Sequence, residues 1–459
     1  MSGMLKSIRK RKRQTFLSLL LAACLCVAFL FGTVAEASNS DFGINVTIKA
    51  SKKNYTFELE VKNKSKAFDG RVVVMTSSQG SGFTGYSKSI SIASQQTEYV
   101  SINVPLVGTN PDLEFKILIL DNDDILRYQE KFKSIAYIAG KNLTYEEKIT
   151  SLDMYDIENV QGYMEKPAGE LSGLISILII LYVVLVGPII YLILKAVKKR
   201  ELMWIIIPGI TVVFVLIMFL MSIGSASKND SIKSIELTNY QNETISTYVF
   251  GYSAGHKKWD VKTKENYCTG RSLSRSYIYD ENVKYRAELE QGLSNMKLHY
   301  SPRNSYESTC FELESETKPE GSIEIIASEN DPYVVKVCNK TGQHLDYMYV
   351  STFKGCEVVE DVEPNATVDV ELNLNNNSSG SFINNSQLQN KYLMPAYEDG
   401  DIEKSSKLAA LFIALEASYT GNEQALAVGV TKGASKTDKE EISFRCFYDS
   451  VSFQPYDEY

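Results

Sequence analysis

The side chains that most often carry acid–base or metal chemistry are scarce in this sequence. Histidine titrates near neutral pH and is the commonest metal ligand, yet the chain has only three: His256, His299 and His344. They lie far apart, and none belongs to an HExxH-like spacing that would place two imidazoles on one helix face. We expect each histidine to have an ordinary surface or turn role. An envelope hydrolase with an active site assembled from distant residues is therefore only a remote alternative.

One acidic cluster has the composition of a cation site. Asp121-Asn122-Asp123-Asp124 offers several oxygen ligands. However, Ca²⁺ takes about six to eight oxygens, usually including a bidentate carboxylate further along the chain, and no such spacing follows. The cluster lies between two strand-like runs, where Asp and Asn are typical of turns. We therefore predict a polar hairpin turn, and no metal or other cofactor.

Two of the seven cysteines lie in the N-terminal apolar run, and the rest follow much later: Cys268, Cys310, Cys338, Cys356 and Cys446. No CxxC spacing occurs, so neither a redox motif nor a thiolate zinc site is indicated. An oxidising compartment would permit disulfides. Their odd number leaves at least one thiol unpaired within the chain, and the pairs Cys268–Cys310 and Cys338–Cys356 are both open.

Tyrosine is the abundant polar aromatic residue, with 28 copies scattered along strand-like runs. This distribution suits the cores and faces of β-sheets. It also suits a contact surface for carbohydrate or protein, because tyrosine combines a large apolar ring with a polar hydroxyl. Carboxylates are too numerous for a glycosidase pair to be chosen from the sequence.

The formal net charge is −8, but cations are concentrated near the N-terminus and between residues 195 and 200. The remainder is acidic, and an acidic surface repels a phosphate backbone. We therefore predict no nucleic-acid partner.

The N-terminus has the three-part pattern of a secretion signal over residues 1–37. A basic start and an apolar run precede Ala35-Glu36-Ala37, whose small residues Ala35 and Ala37 suit signal cleavage. Two alternatives are a retained anchor helix and lipidation at Cys24. All three export the chain that follows.

Two uncharged apolar runs, 173–194 and 202–224, are each long enough to span a bilayer as a helix. The short link at 195–201 should lie in the cytoplasm, by the charge rule for membrane topology, because of four cations: Lys195, Lys198, Lys199 and Arg200. We therefore predict a multi-pass protein of the cell membrane, with a transmembrane hairpin in lipid. Gly187 and Pro188 should kink its first helix, since Pro188 lacks a backbone donor.

Period-two alternation of apolar and polar residues predicts β-rich domains outside the membrane at 41–135 and 228–459. In the first, Tyr55, Phe57, Leu59 and Val61 alternate with polar neighbours. About seven such runs favour an immunoglobulin-like β-sandwich, followed by a linker at 136–170. An amphipathic helix is predicted at about Ser405–Tyr419. The fold class is thus mainly β extracytoplasmic domains plus an α-helical transmembrane hairpin.

The apolar segment also resembles a known group of proteins. Tyr182, Gly187-Pro188, Tyr191 and Leu194-Lys195, followed by a Lys-Arg-Glu run, Trp204 and Pro208, are similar to the hairpin of an uncharacterised family of Bacillota membrane proteins. The resemblance covers about residues 165–450. It extends to a turn at Cys338–Gly342 and to a later turn, where Asn365 replaces the family's usual glycine.

Longer members of that family are thought to carry a glutamine-amidotransferase-like domain before the helices. Here only about 35 residues fill that interval, too few for such a domain. The resemblance therefore implies a short form without the enzyme-like module, and no catalytic residue carries over.

The leading functional hypothesis is a non-enzymatic, membrane-anchored binding or assembly subunit, or the sensor arm of one, at the cell envelope. Its expected partners are the lipid bilayer and another membrane or envelope protein. The second hypothesis is an envelope-polymer binder that grips glycan or peptidoglycan with tyrosine-lined strands.

Overall fold

The structure is a computed structural model, and it describes residues 41–51, 53–78, 82–106, 109–139, 162–164, 169–196, 203–225, 231–253, 258–265, 267–273, 287–292, 295–302, 307–327, 334–352, 355–372, 389–418, 425–439 and 442–451. Most of these residues lie in β-strands. The predicted signal at 1–37, including Ala35 and Ala37, lies outside the described residues.

Seven strands form the first β region: β1 (Phe42–Ala50), β2 (Asn54–Asn63), β3 (Phe68–Ser78), β4 (Gly82–Ile92), β5 (Thr97–Pro105), β6 (Glu114–Asp121) and β7 (Leu126–Ser134). The order β1-β2-β5 makes one sheet, and β4-β3-β6-β7 run side by side in a second. The apolar residues that alternate along β2 are almost fully buried and pack against Val72, Val74 and Ile117 of the second sheet. The alternation therefore identifies the face of β2 that packs against the second sheet.

The helices of the middle of the chain are α1 (Ile135–Ala139), α2 (Gly169–Val184), α3 (Ile190–Ala196) and α4 (Met203–Ser225), with a 3-10 turn at Gly162–Met164. A π-helical turn at Leu185–Ile189 joins α2 to α3 and contains Gly187 and Pro188. Pro188 has no N–H to donate, so the helical ladder is interrupted there. We call residues 169–196 and 203–225 the apolar arm.

The two parts of the apolar arm touch each other. The hydroxyl of Tyr182 in α2 lies 2.8 Å from the hydroxyl of Thr211 in α4, and the ring centroids of Tyr182 and Phe214 are 4.6 Å apart. Most other apolar side chains of the arm are exposed, for example Ile180 and Val212. Such a surface is expected to contact lipid or another protein.

The prediction of a multi-pass membrane protein with both β domains outside is wrong. Within the described residues, only Ser176–Ala196 is long and apolar enough to cross a membrane. The second apolar stretch, Ile206–Met218 within α4, is shorter. The predicted loop at 195–201 is described only at Lys195 and Ala196, which are exposed at the end of α3; Lys198, Lys199 and Arg200 lie outside the described residues.

The second β region contributes the remaining strands: β8 (Ser231–Asn239), β9 (Thr244–Ser253), β10 (Trp259–Lys262), β11 (Thr269–Ser272), β12 (Ala287–Gln291), β13 (Met296–Tyr300), β14 (Glu307–Glu314), β15 (Ile323–Ala327), β16 (Val334–Asn339), β17 (Leu345–Thr352), β18 (Gly355–Val362), β19 (Thr367–Glu371), β20 (Ala425–Lys432) and β21 (Ile442–Val451). Its helices are α5 (Met394–Glu398) and α6 (Ile402–Ser418), preceded by a π-helical turn at Gln389–Leu393.

An eight-stranded sheet in the order β11-β14-β9-β8-β21-β20-β17-β18 forms the centre of this region, with β18 at one edge. Helix α6, found where the amphipathic pattern predicts a helix, packs on it through buried side chains such as Leu411 and Leu415. A small sheet, β15-β16-β19, contributes to another core. Asn365, which replaces the family's usual glycine, has φ +61°, a conformation that asparagine tolerates better than most residues.

The two β regions are not separate bodies, because they share a sheet. Strand β12 pairs in parallel with β4, which extends the second sheet to β10-β13-β12-β4-β3-β6-β7. Side chains reinforce the junction: Gln291 exchanges two hydrogen bonds with the backbone of Asn103, at 3.0 and 2.5 Å. A bilayer therefore cannot lie between the two regions.

Candidate functional site

A cavity of about 350 Å³ opens between the edge of the eight-stranded sheet and its helices. Strands β17 and β18 form one wall, and the π-helical turn, α5 and the start of α6 form the other. We call it the edge pocket, and it is lined by Tyr347, Val358, Glu360, Lys391, Tyr392, Pro395, Ala396, Asp399, Asp401, Lys404 and Leu408. Ligand pockets range from roughly 300 to 1,000 Å³, so this one suits a small unit.

Two tyrosines provide the aromatic lining of the edge pocket. Tyr392 donates a hydrogen bond of 2.5 Å from its hydroxyl to Glu357 Oε1. Burial and the neighbouring Glu357 carboxylate raise the pKa of Tyr392, so its phenol stays protonated. Burial also raises the pKa of Tyr347, whose ring centroid is 5.5 Å from Lys404 Nζ. Lys391 Nζ is 4.6 Å from the centroid of the Tyr392 ring. Both rings are therefore neutral, and each has a lysine ammonium over one face.

Two ion pairs border the edge pocket, and Asp399 and Asp401 add two further carboxylates. Lys404 Nζ is 2.9 Å from Glu360 Oε1, and this hydrogen bond raises the pKa of Lys404 despite partial desolvation. Lys391 Nζ is 3.3 Å from Glu357 Oε2. Asp401 accepts a 3.0 Å hydrogen bond from the backbone N–H of Lys404 and so caps the first turn of α6. The pocket thus offers many hydrogen-bonding groups, and its charged lining residues, two lysines and three carboxylates, leave an excess of negative charge.

The elements that line the edge pocket also hold the segment that leads to the apolar arm. Ser405 Oγ in α6 donates to the carbonyl of Tyr163 at 2.9 Å, and the rings of Tyr163 and Tyr397 of α5 are 5.3 Å apart. Met164 is buried, and its carbonyl accepts a 2.6 Å hydrogen bond from Lys233 Nζ in β8. The 3-10 turn is therefore attached to the pocket-bearing body just ahead of α2.

His299, one of the three sequence candidates, lies in a charged cluster on the shared sheet. Its Nδ1 is 2.5 Å from Asp260 Oδ1, and its Nε2 is 3.2 Å from Glu290 Oε2. Glu290 also accepts hydrogen bonds from Ser89 of the first β region at 2.6 Å and from Lys297 at 3.0 and 3.1 Å. The cluster therefore helps to bind β12 to β4.

The cluster is a poor general base. Burial lowers the pKa of His299, but its hydrogen bonds to Glu290 and Asp260 outweigh that effect and raise it above the ordinary 6.5. A protonated imidazole held by two carboxylates has no lone pair with which to accept a proton. Ser89 donates to Glu290 rather than to the imidazole, so these residues do not form the nucleophile–base pair of a hydrolase.

The cluster should make stability depend on pH in a defined window. The hydrogen bond to His299 and the contacts with Ser89 and Lys297 hold the pKa of Glu290 at about 2, below its ordinary 4.5, although burial opposes them. The contribution of Glu290 to the free energy of unfolding is therefore present above about pH 4.5 and lost as the pH falls toward 2. The contribution of His299 is present below about pH 6.5 and lost as the pH rises through its raised pKa.

We therefore expect the cluster to stabilise the protein most between about pH 4.5 and 6.5. Unfolding of the full chain in mild detergent, followed by circular dichroism across the pH range, checks this. The His299→Gln variant should lack the decline on the alkaline side. His344→Gln, at a half-buried histidine 3.8 Å from Asp361, should keep it. Identical alkaline slopes for His299→Gln and the unaltered chain would contradict the assignment.

The segment Gly251-Tyr252-Ser253-Ala254-Gly255 fits the Gly-x-Ser-x-Gly pattern of a nucleophile elbow. In hydrolases this motif turns from a strand into a helix. Here Ser253 is the last residue of β9, opposite Glu307 of β14, and the next described element is strand β10. Gly251 has a packing role, since a Cβ there would lie 2.2 Å from the Trp259 ring. His256 lies outside the described residues.

The other sequence candidates have structural roles. Asp121 Oδ1 accepts hydrogen bonds from the backbone N–H groups of Asp123 and Ile125 at 3.0 and 2.8 Å, which forms the predicted turn. The carboxylate of Asp124 is paired with Arg71 at 2.6 Å and Lys258 at 2.5 Å. Within the described residues, no group of three or more His, Cys, Asp or Glu could hold a metal ion.

The two open disulfide pairings are not formed, because all five cysteines of the second β region are free thiols. Cys310, Cys356 and Cys446 are buried and pack in the core beneath α6. Cys268 instead contacts the carbonyl of Glu314, with Sγ 3.2 Å from the oxygen.

No protein-family model matches this sequence, and no curated protein matches it. Among solved structures, this chain is similar to a beta-glucosidase from Kluyveromyces marxianus in complex with glucose. The match has 17% identity and a TM-score of 0.16, and it covers 20% of this chain and 14% of that chain. A second similar structure is beta-glucosidase 3B from Thermotoga neapolitana in complex with glycerol, with 11% identity, 22% and 16% covered, and a TM-score of 0.14. This chain spans about a seventh of the length of those enzymes, and their activity is not transferred to it.

Proposed function

We propose that this chain is a non-enzymatic binding subunit of the cell envelope that acts as a sensor arm. The observation that carries the proposal is the double attachment of the 3-10 turn. Lys233 and Ser405 hold Met164 and Tyr163 against the body that bears the edge pocket. A ligand in the pocket would contact α5 and α6. Because these helices hold the 3-10 turn, its binding would alter the position of the chain just before the apolar arm.

The apolar arm would anchor the body at a membrane. Ser176–Ala196 has the length and composition for a hydrocarbon core, and its side chains are mostly exposed rather than used in a core. Because the two β regions share a sheet, both belong to the body that the arm would anchor. The secretion pattern at 1–37 supports a place at the envelope.

An immunoglobulin-like sandwich is the finer fold that we propose for the first β region. In constant-type immunoglobulin domains, strands 1-2-5-4 face strands 3-6-7. Here the sheets are β1-β2-β5 and β4-β3-β6-β7, which differs only in the sheet that strand 4 joins. This strand order supports a domain class used widely for binding, and the resemblance to the Bacillota membrane-protein family remains a proposal alongside it.

Capture of the tagged full-length protein from gently solubilised membranes tests this function. We expect one membrane protein in equimolar amount, identified by mass spectrometry. A photo-crosslinking residue at exposed Ile180 of the arm should form an adduct with that protein or with lipid. The same residue at Tyr99, which is 77% exposed on β5, is the matched control. A monodisperse chain without any bound protein would contradict the subunit role and favour the envelope-polymer binder.

A further inference from the structure

We propose that the edge pocket binds a neutral saccharide unit, with its ring face against Tyr347 and Tyr392 and its hydroxyls against the paired charges of the rim. This inference rests on the proposed binding function and names the chemical class of the ligand. The site combines residues from two strands, the π-helical turn and two helices that are up to 61 positions apart in the sequence, from Tyr347 to Leu408.

The apolar part of the pocket matches the carbon face of a sugar ring. Tyr347 and Tyr392 supply flat aromatic surfaces, and Val358, Ala396 and Leu408 supply aliphatic contacts. A pyranose ring carries C–H groups on its faces and hydroxyls around its edge. Aromatic side chains with a polar tip suit such an amphipathic ligand, because their rings remove C–H surface from water while their hydroxyls remain bonded.

The polar part of the pocket selects against strongly charged ligands. A phosphate would meet Glu360, Asp399 and Asp401. An ammonium group, which Asp399 and Asp401 would attract, would also meet Lys391 and Lys404. Breaking the Lys404–Glu360 or Lys391–Glu357 pair to accommodate such a group would leave a partner unpaired. Hydroxyls both donate and accept, so a neutral polyol can bond to both members of each pair without separating them.

The size and position of the pocket limit the ligand to a short unit. About 350 Å³ lies near the lower limit for small-molecule sites. Asp399 and Asp401 on the rim are exposed, so a chain of further sugars could continue into solvent. The site is therefore suited to one unit of an envelope glycan rather than to a long buried chain.

Isothermal calorimetry on the full chain in lipid nanodiscs tests the ligand class. The probes are cellobiose and N,N′-diacetylchitobiose as neutral saccharides, with glucose 6-phosphate and spermidine as charged controls. We expect at least one neutral disaccharide to bind at least tenfold more tightly than either control. Tyr347→Ala should weaken that binding about tenfold, the upper range for an aromatic contact, whereas Tyr347→Phe and the distant Tyr99→Ala should not.

A thermal melt of each variant identifies loss of folding, and Glu360→Gln provides a second probe that keeps the pocket's shape and should also weaken the saccharide. No heat from either disaccharide, tighter binding of a charged control, or unchanged affinity in both Tyr347→Ala and Glu360→Gln would overturn the proposal. If no neutral saccharide binds but a stoichiometric membrane partner is still captured, only the ligand class is rejected. Loss of that partner as well would reject the binding function.

Discussion

Replacing Arg71 with methionine is expected to lower the free energy of unfolding by about 3–5 kcal/mol. Arg71 Nε is 2.8 Å from Glu288 Oε1, and its Nη2 is 2.6 Å from Asp124 Oδ1. The Glu288 side chain is only 3% exposed, so the variant leaves a buried carboxylate without its guanidinium. Removal of one partner from a buried ion pair is costly because the remaining charge stays desolvated.

Urea unfolding of the full chain in mild detergent measures this loss. Lys49→Met is the matched control: its pair with Glu58 is exposed, at 64% and 45% of the two side chains, and should change stability by at most about 1 kcal/mol. The double variant Arg71→Met/Glu288→Met should recover part of the loss, since no buried charge remains. Equal losses in Arg71→Met and Lys49→Met would mean that this pair does not hold the shared sheet together.

Replacing Lys233 with methionine is expected to release the 3-10 turn from the body. The substitution keeps an apolar stem of similar length but removes the donor to the Met164 carbonyl, whose residue is 2% exposed. An unsatisfied buried carbonyl costs about 1–3 kcal/mol. Local opening of this segment should therefore increase on the order of 5- to 150-fold, with little change in the strands of the first β region.

Amide hydrogen exchange of Tyr163 and Met164, followed by mass spectrometry, reports this opening. Lys340→Met is the control, because Lys340 forms an exposed pair with Glu324 at 2.5 Å that is remote from the 3-10 turn in sequence. Faster exchange in both variants, or in neither, would show that Lys233 does not secure the turn.

Local patterns in the sequence predict the strands and α6 well. The residues of β2 alternate with period two, and Tyr55, Phe57, Leu59 and Val61 are the side chains that are buried. In α6, the apolar stripe of Leu408, Leu411, Phe412 and Leu415 is the face that packs. These features are predictable because burial of one face imposes a short repeat on the residues of a single element.

Pairing between distant strands is not predictable in this way. Strand β12 is only Ala287–Gln291 and joins β4, about 200 residues earlier. Glu288 and Glu290 interrupt any apolar run in this strand. They are accommodated there because their partners, Arg71 and Ser89, come from the other β region. The sequence of β12 alone therefore does not indicate a strand, because groups that bond to its glutamates lie elsewhere in the chain.

The edge pocket could not be predicted from the sequence either. Tyr347 and Tyr392 are two of 28 tyrosines, and nothing in their neighbours distinguishes them. They meet only because α5 and α6 pack against the edge of the sheet at β17 and β18. Apolar length alone predicted two membrane-spanning helices, whereas within the described residues only Ser176–Ala196 is long and apolar enough to span.

We infer that the 3-10 turn before the apolar arm and the pocket-bearing body form one unit. Hydrogen exchange on the unaltered full chain in nanodiscs tests it most directly. If the claim is correct, the amides of Tyr163 and Met164 exchange as slowly as those of the first turn of α6 around Ser405, because they open together. Exchange of Tyr163 and Met164 at the rate of an unstructured chain, with α6 still protected, would contradict it.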